Sequence, residues 1–263
     1  MTENLRISLV QAPIVWEDRE ANLSLYEGLL SSISGSTDLA VLPETFTTGF
    51  SMNAESLGET ADGVTVATLR AWAERFGMAV AGSFIARDRD MRRCYNRGFL
   101  VTPGGEASYY DKRHLFRMAG ETEHFTPGAK QMIAGYRGWN ICLEVCYDLR
   151  FPVWSRNVNN AYDLMIYVAN WPESRIKAWT SLLPARAIEN LAYVCGVNRT
   201  GSDGEGIVYN GHSALYSPKG DTLADAGAEE RVIRSCTLHK SELERLRARF
   251  PVWKDADAFT IGK

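Results

Sequence analysis

Residues 137–152 read RGWNICLEVCYDLRFP. The stretch "GWNICLEVC" reads as a buried strand that ends at Cys146, and charge begins directly after it with Asp148 and Arg150. A cysteine kept for packing behaves as a small hydrophobe and belongs in the middle of an apolar run. One delivered to the end of a strand stands where open α/β sheets gather their active groups. Tyr147-Asp148-Leu149-Arg150-Phe151-Pro152 reads as a turn into a helix, with backbone N–H groups aimed back at the sulfur. Such donors lower a thiol pKa and hold an oxyanion.

Outward from this stretch, strand and helix patterns alternate. "LRISLVQ" alternates as a strand, and residues 18–33 place Leu23, Tyr26, Leu29, Leu30 and Ile33 at helical spacing. "DLAVLPE" is a short buried strand, followed by a helix from Thr65 to Phe76 with Gly77 as its C-cap. "CYNRGFLVTPGGEASYYDK" reads as a hairpin that turns at Pro103-Gly104-Gly105. "SRIKAWTSLLPARAIEN" is helical, with Pro184 expected to kink it or mark a break. "SELERLRARF" is a last helix with Ser241 as candidate N-cap. "AVLP", "MIYV" and "AYVCGV" are apolar on both faces, which places them in sheets covered on each side. No Pro/Ser-rich linker interrupts the 263 residues, so one α/β domain over 1–263 is expected.

Hydrophobic residues make up 45% of the chain, enough for a sizeable core. Lys+Arg 29 against Asp+Glu 32 gives a net charge of −3, which argues against nucleic acid or an anionic membrane as partner. No segment approaches the roughly 20 apolar residues of a membrane span. Five cysteines at irregular spacing, behind an N-terminus without a basic leader, point to free thiols in a reducing cytoplasm.

A thiol nucleophile needs an activator. None of the four histidines sits in a cysteine-protease signature. A carboxylate base and a cation are the other option. Glu44 follows the buried strand of "LAVLPE", and Lys112 ends the hairpin arm "ASYYDK". Singly, each is an ordinary solvated strand end; with Cys146 they make three strand ends carrying Glu, Lys and Cys.

"LPETFTTGF", "YYDKRHLF" and "CYDLRFP", in that order, resemble the three motifs of the nitrilase superfamily of carbon–nitrogen hydrolases. The resemblance extends through "ANWP", "ARAIEN" and "GHSALYSPKGD", and "CYDLRFPVWSRN" with "KRHLFRMAGE" is similar to the bacterial omega-amidase branch. It implies a four-layer αββα sandwich, a homodimer, and no metal or cofactor. Residue by residue it implies Cys146 as nucleophile, Glu44 as general base and Lys112 as the cation beside the oxyanion, with the Tyr147 N–H as second donor. A second glutamate is implied in the loop after the lysine; Glu121 fits best by its distance from Pro127-Gly128, with Glu123 close by. Lys112 is further expected to favour the thiolate of Cys146.

The implied substrates are small dicarboxylic acid monoamides such as 2-oxoglutaramate and 2-oxosuccinamate. Their free carboxylate calls for a cation, for which Arg150 is the candidate, though a salt bridge to Asp148 would also account for it. Phe116 and Trp171 are candidate pocket walls. Glu144, two residues before the nucleophile, is expected on the same strand face and paired structurally with an arginine or lysine. The rival readings are another nitrilase-superfamily amidase, an N-carbamoyl amide hydrolase, and a non-catalytic binding module on the same scaffold.

Overall fold

The computed structural model of the protein describes residues 4–262. The expected domain bounds and the reading of the N-terminus extend to residues 1–3 and 263, which lie outside the described residues. In chain order the strands are β1 (Asn4–Gln11), β2 (Leu39–Val41), β3 (Ala79–Arg87), β4 (Cys94–Val101), β5 (Ala107–Asp111), β6 (Ile133–Tyr136) and β7 (Trp139–Val145). They continue with β8 (Leu164–Ala169), β9 (Tyr193–Asn198), β10 (Thr200–Ser202), β11 (Val208–Asn210), β12 (Ala214–Tyr216), β13 (Thr222–Asp225) and β14 (Val232–His239). The helices are α1 (Arg19–Ser32), α2 (Ala54–Leu57), α3 (Val64–Phe76), α4 (Glu121–His124), α5 (Ile176–Asn190) and α6 (Lys240–Arg249).

Two six-stranded sheets form, ordered β14-β1-β2-β3-β4-β5 and β13-β12-β9-β8-β7-β6. Their inner strands β1–β2–β3 and β7–β8–β9 pair in parallel. Alternation along each strand sends successive side chains to opposite faces. Leu5, Ile7 and Leu9 of β1 meet Leu143, Val145 and Ile166 in a buried layer between the sheets. Val10 and Val80 face the other way, onto Leu30, Leu69 and Trp72 of α1 and α3. Met165 and Tyr167 of the second sheet pack on Trp179 and Leu183 of α5. The layers therefore run α, β, β, α, as expected, and each buried Leu or Val contributes about 1.5–3 kcal/mol relative to exposure.

The sheets approach closely at Gly98, where an added Cβ would come within 2.3 Å of the Leu143 side chain. This contact draws β4 and β7 together next to the ends of β5 and β7, where Lys112 and Cys146 leave their sheets.

Two local expectations change and a third narrows. Pro184 marks no break, since α5 is one helix from Ile176 to Asn190, which leaves the kink as the proline's expected effect. The cap of α6 is His239 rather than Ser241: Lys240 and Arg247 both reach the Asp163 carboxylate, at 2.7 and 2.9 Å, and this tertiary anchor sets the start of the helix. After β7 the chain makes one 3-10 turn, Cys146–Arg150, instead of entering a longer helix.

Candidate active site

The site forms where the two sheets meet at their strand ends. Glu44 leaves β2 three residues after its last member, held by backbone bonds from the next residues: Thr45 N donates to Ser83 Oγ (2.8 Å) and Phe46 N to the Ser83 carbonyl (3.1 Å). Its carboxylate is fully buried. Glu44 Oε1 accepts from Lys112 Nζ at 3.0 Å and Asn96 Nδ2 at 2.7 Å. Glu44 Oε2 accepts from the Asn170 backbone N–H at 2.7 Å. Lys112 also donates to Glu121 Oε1 at 2.9 Å. Glu121 is buried at the start of α4 and its other oxygen accepts the Phe116 N–H, whereas Glu123 is exposed. The geometry thus joins Glu121, and not Glu123, to Lys112.

Cys146 is half-buried and has a φ of +47°, in the left-handed region that a side chain rarely adopts. The turn behind it is braced by Asp148. That buried carboxylate accepts from the Val145 N–H (3.1 Å), Tyr110 Oη (2.8 Å) and the His114 N–H (2.9 Å), with His114 Nδ1 at 2.7 Å. A carboxylate that satisfies several donors at once compensates the cost of backbone strain nearby. Cys146 Sγ lies 3.9 Å from the Asn170 carbonyl.

Electrostatics assign opposite resting states to lysine and thiol. Burial pulls the Lys112 ammonium down, but Glu121 and Glu44 outweigh it and hold its pKa above the ordinary lysine value. Burial pushes the Cys146 thiol well above the ordinary range, and Glu44 adds to this by charge and hydrogen bond. Lys112 acts in the other direction on the thiol and does not prevail. Lys112 thus favours the thiolate as expected, but burial, the largest effect, outweighs it. Burial also raises the pKa of Glu121, against the pull of Lys112.

Glu144 departs from expectation. Cys146 lines the cavity, whereas Glu144 does not. Among the described residues no arginine or lysine forms an ion pair with Glu144; Ser155 Oγ donates to its Oε2 at 2.7 Å. Burial, with Asp148 nearby, pushes its carboxyl well above the usual range, which favours the protonated form.

A cavity of about 70 Å³ opens onto Cys146, Glu44 and Lys112. Tyr147, Phe116, Arg150 and Trp171 all line it, so the structure brings every sequence-proposed wall residue together. Arg150 makes no salt bridge to Asp148; its guanidinium lies 5.0 Å from the Trp171 ring centroid. Sequence reasoning missed Asn170, Arg175, Ile207 and Tyr209, which also face the cavity. Asn170 lies within the "ANWP" run, a usable signal; Arg175 sits in the 3-10 turn Glu173–Arg175 with no distinguishing pattern. The Arg175 guanidinium is 5.1 Å from the Phe116 ring centroid. Among the described residues neither Arg150 nor Arg175 is in an ion pair.

The carbon-nitrogen hydrolase family profile matches residues 6–248. The chain is 47% identical to omega-amidase YafV of Escherichia coli (strain K12) over 98% of both chains. It is 31% identical to the 2-oxoglutaramate amidase of Bacillus subtilis (strain 168), covering 95% of this chain and 96% of that one. A crystal structure of a CN-hydrolase superfamily protein from Xanthomonas campestris, with an arsenic adduct in its active site, superposes with a TM-score of 0.95 at 42% identity, covering 99% of this chain and 100% of that one. By profile, sequence and superposition alike, the chain belongs to the carbon–nitrogen hydrolase family of the nitrilase superfamily, alongside its omega-amidases.

Proposed function

We propose that the chain, as one domain over 1–263, is an omega-amidase that hydrolyses the terminal amide of small dicarboxylic acid monoamides, 2-oxoglutaramate and 2-oxosuccinamate among them. The observation that carries this is the convergence, in one small cavity, of Cys146, the 3.0 Å Lys112–Glu44 pair and two arginines free of ion pairs. The names of the Escherichia coli and Bacillus subtilis relatives support the same reading.

In this mechanism the resting thiol is protonated, so deprotonation accompanies attack. Cys146 sulfur bonds to the amide carbon while Glu44 takes its proton. The carbonyl oxygen becomes an oxyanion that meets Lys112 Nζ and the Tyr147 N–H, and losing one such donor typically costs roughly 3 kcal/mol of transition-state stabilisation. Glu44 returns the proton to the nitrogen, the C–N bond breaks, and ammonia leaves a thioester. Water then attacks the thioester carbon as Glu44 takes a water proton. Breaking the C–S bond frees the acid, and the proton passes to sulfur. Glu121 holds the Lys112 ammonium in place, and Arg150 and Arg175 meet the substrate's carboxylate beside the rings of Trp171 and Phe116. No metal or cofactor takes part in these steps. The enzyme acts as a homodimer in the cytoplasm.

Trapping decides the chemistry. Rapid quench with 2-oxoglutaramate followed by mass spectrometry of the intact chain gives an acyl adduct on Cys146. Steady ammonia release with no adduct in wild type, and undiminished release by Cys146→Ala, would overturn it. Ammonia release from a panel of monoamides, carbamoyl compounds and nitriles separates the omega-amidase from an N-carbamoyl amide hydrolase or another amidase. Labelling of Cys146 by a substrate-like electrophile separates an enzyme from a binding module.

A further inference from the structure

We propose that the hairpin of β10 and β11 is the gauge of substrate length in this enzyme, acting through Ile207 and Tyr209. The inference rests on the amidase reading above and concerns the same cavity. The catalytic groups come from the ends of β2, β5 and β7, and the arginines from the turns after β7 and β8. Ile207 and Tyr209 are different: they line the cavity from a separate two-stranded ribbon, Tyr209 from β11 and Ile207 from the turn just before it.

Three residues per strand, paired Thr200–Asn210, Gly201–Tyr209 and Ser202–Val208, make a short ladder. A two-stranded hairpin of this size is marginal by itself in water. This one is fastened at three points. Asp203 accepts the N–H groups of Glu205 and Ile207 at 3.0 and 2.9 Å, and Tyr209 Oη donates to its other oxygen at 2.7 Å. Gly204 lies against the Trp16 indole so closely that a Cβ there would come within 2.3 Å of its nitrogen. Arg199, wholly buried, donates to the carbonyls of Ile14, Thr200 and Ser202, and its guanidinium lies 4.7 Å from the Tyr209 ring centroid.

A buried guanidinium is costly unless paired, and among the described residues no carboxylate forms an ion pair with Arg199. Three carbonyls and a ring face take that place, and what they secure is the position of Tyr209. Tyr209 itself is 3% exposed, whereas Ile207 is 42% exposed. One side chain is therefore a fixed wall and the other an overhanging edge.

The ribbon is also set against the charged end of the cavity. Asn210 Nδ2 donates to Glu173 Oε1 at 3.5 Å, and Glu173 opens the turn that carries Arg175. A substrate whose amide carbon is at Cys146 and whose carboxylate is at the arginines lies in a cavity that Ile207 and Tyr209 also line. A longer chain would have to bow outward, into Tyr209 or past Ile207. Each extra methylene has to be accommodated against that same wall.

The test measures kcat/KM for a ladder of monoamides, succinamate, glutaramate, adipamate and pimelamate, and for the uncharged ladder from butyramide to heptanamide. Wild type is compared with Tyr209→Ala and Ile207→Ala. One misfitting methylene is typically worth roughly 10–200-fold in discrimination. The expected result is a rise of at least about tenfold in the ratio of the longest to the second-shortest substrate in each variant. An unchanged ratio in both variants overturns the proposal. If Tyr209→Ala does not fold, Ile207→Ala decides alone, since its side chain is partly in solvent. The two ladders keep the questions apart. A wild type that prefers the uncharged ladder refutes the carboxylate reading, and the length ratio is then read within that ladder.

Discussion

Lys112 Nζ and Glu121 Oε1 stand 2.9 Å apart with both side chains fully buried. Removing one member of a buried pair typically costs about 3–5 kcal/mol of stability, because the remaining charge is left without compensation. Here Glu44 remains as a second partner for the ammonium, so Glu121→Gln is expected to fold with a lowered melting temperature. Its kcat should fall, since the oxyanion donor is less firmly placed. Lys112→Met deletes the donor and should lose roughly 10²–10³ in kcat. Steady-state ammonia release from both variants checks the order; a Lys112→Met enzyme at the wild-type rate removes the lysine from catalysis.

The raised pKa of Cys146 predicts how the free enzyme meets a simple alkylating agent. Only the thiolate reacts, and its fraction grows as pH rises toward the thiol pKa. Iodoacetamide modification of Cys146, followed by mass spectrometry, should therefore be slow near about pH 7 and keep accelerating to about pH 10. A rate already flat below pH 8 means a resting thiolate and contradicts the Glu44-coupled attack. Cys146→Ala should keep the wild-type circular dichroism spectrum and lose all turnover.

Arg175 gives a prediction about substrate charge. A hydrogen bond to an ionised group is worth roughly 1.5–3 kcal/mol, about 10–100-fold in kcat/KM. Arg175→Met should lose that much on 2-oxoglutaramate and far less on pentanamide, an uncharged amide of the same length. Equal losses on the two amides would show that Arg175 serves the fold rather than the carboxylate.

Glu144 predicts a dependence of stability on pH. Burial, with Asp148 nearby, holds its carboxyl in the folded protein well above the ordinary glutamate value. The folded state thus binds a proton that the unfolded state releases above that value. This contribution is complete below about pH 4.5 and falls as pH rises toward the folded pKa, at roughly 1.4 kcal/mol per unit. Glu144→Gln cannot release a proton. Its melting temperature should exceed that of wild type near pH 8, and the difference should shrink toward pH 4. A constant difference across that range would mean Glu144 is ionised in the fold.

The parts of the molecule that were legible in sequence share a physical cause. Strands apolar on both faces announce covered sheets, and Glu44, Lys112 and Cys146 each stand just past the end of a strand, β2, β5 and β7. Phe116, Trp171 and Arg150 were within reach because they lie beside those ends. Arg175 was not, since a short turn after β8 has no periodicity to read. The β10–β11 ribbon was missed for a related reason: three-residue strands with glycines between them look like a loop. The partner of Glu144 is another case: its charge suggests an arginine or lysine, but in the buried site the Ser155 hydroxyl serves it instead. Ser241 was a sound cap by local preference, overruled by the grip of Asp163 on Lys240 and Arg247.

Glu44 and Lys112 hang from one sheet, Cys146 and Asn170 from the other, and the apolar layer between them, with the Asn170–Glu44 and Tyr110–Asp148 hydrogen bonds, keeps them in line. A slip of one sheet over its neighbour by a fraction of an ångström would part acid from sulfur while leaving every helix and ladder intact. Catalytic rate should therefore report on the seam itself. Trimming Ile7 or Ile166, well away from any substrate, is the kind of change that dims turnover before it loosens the protein.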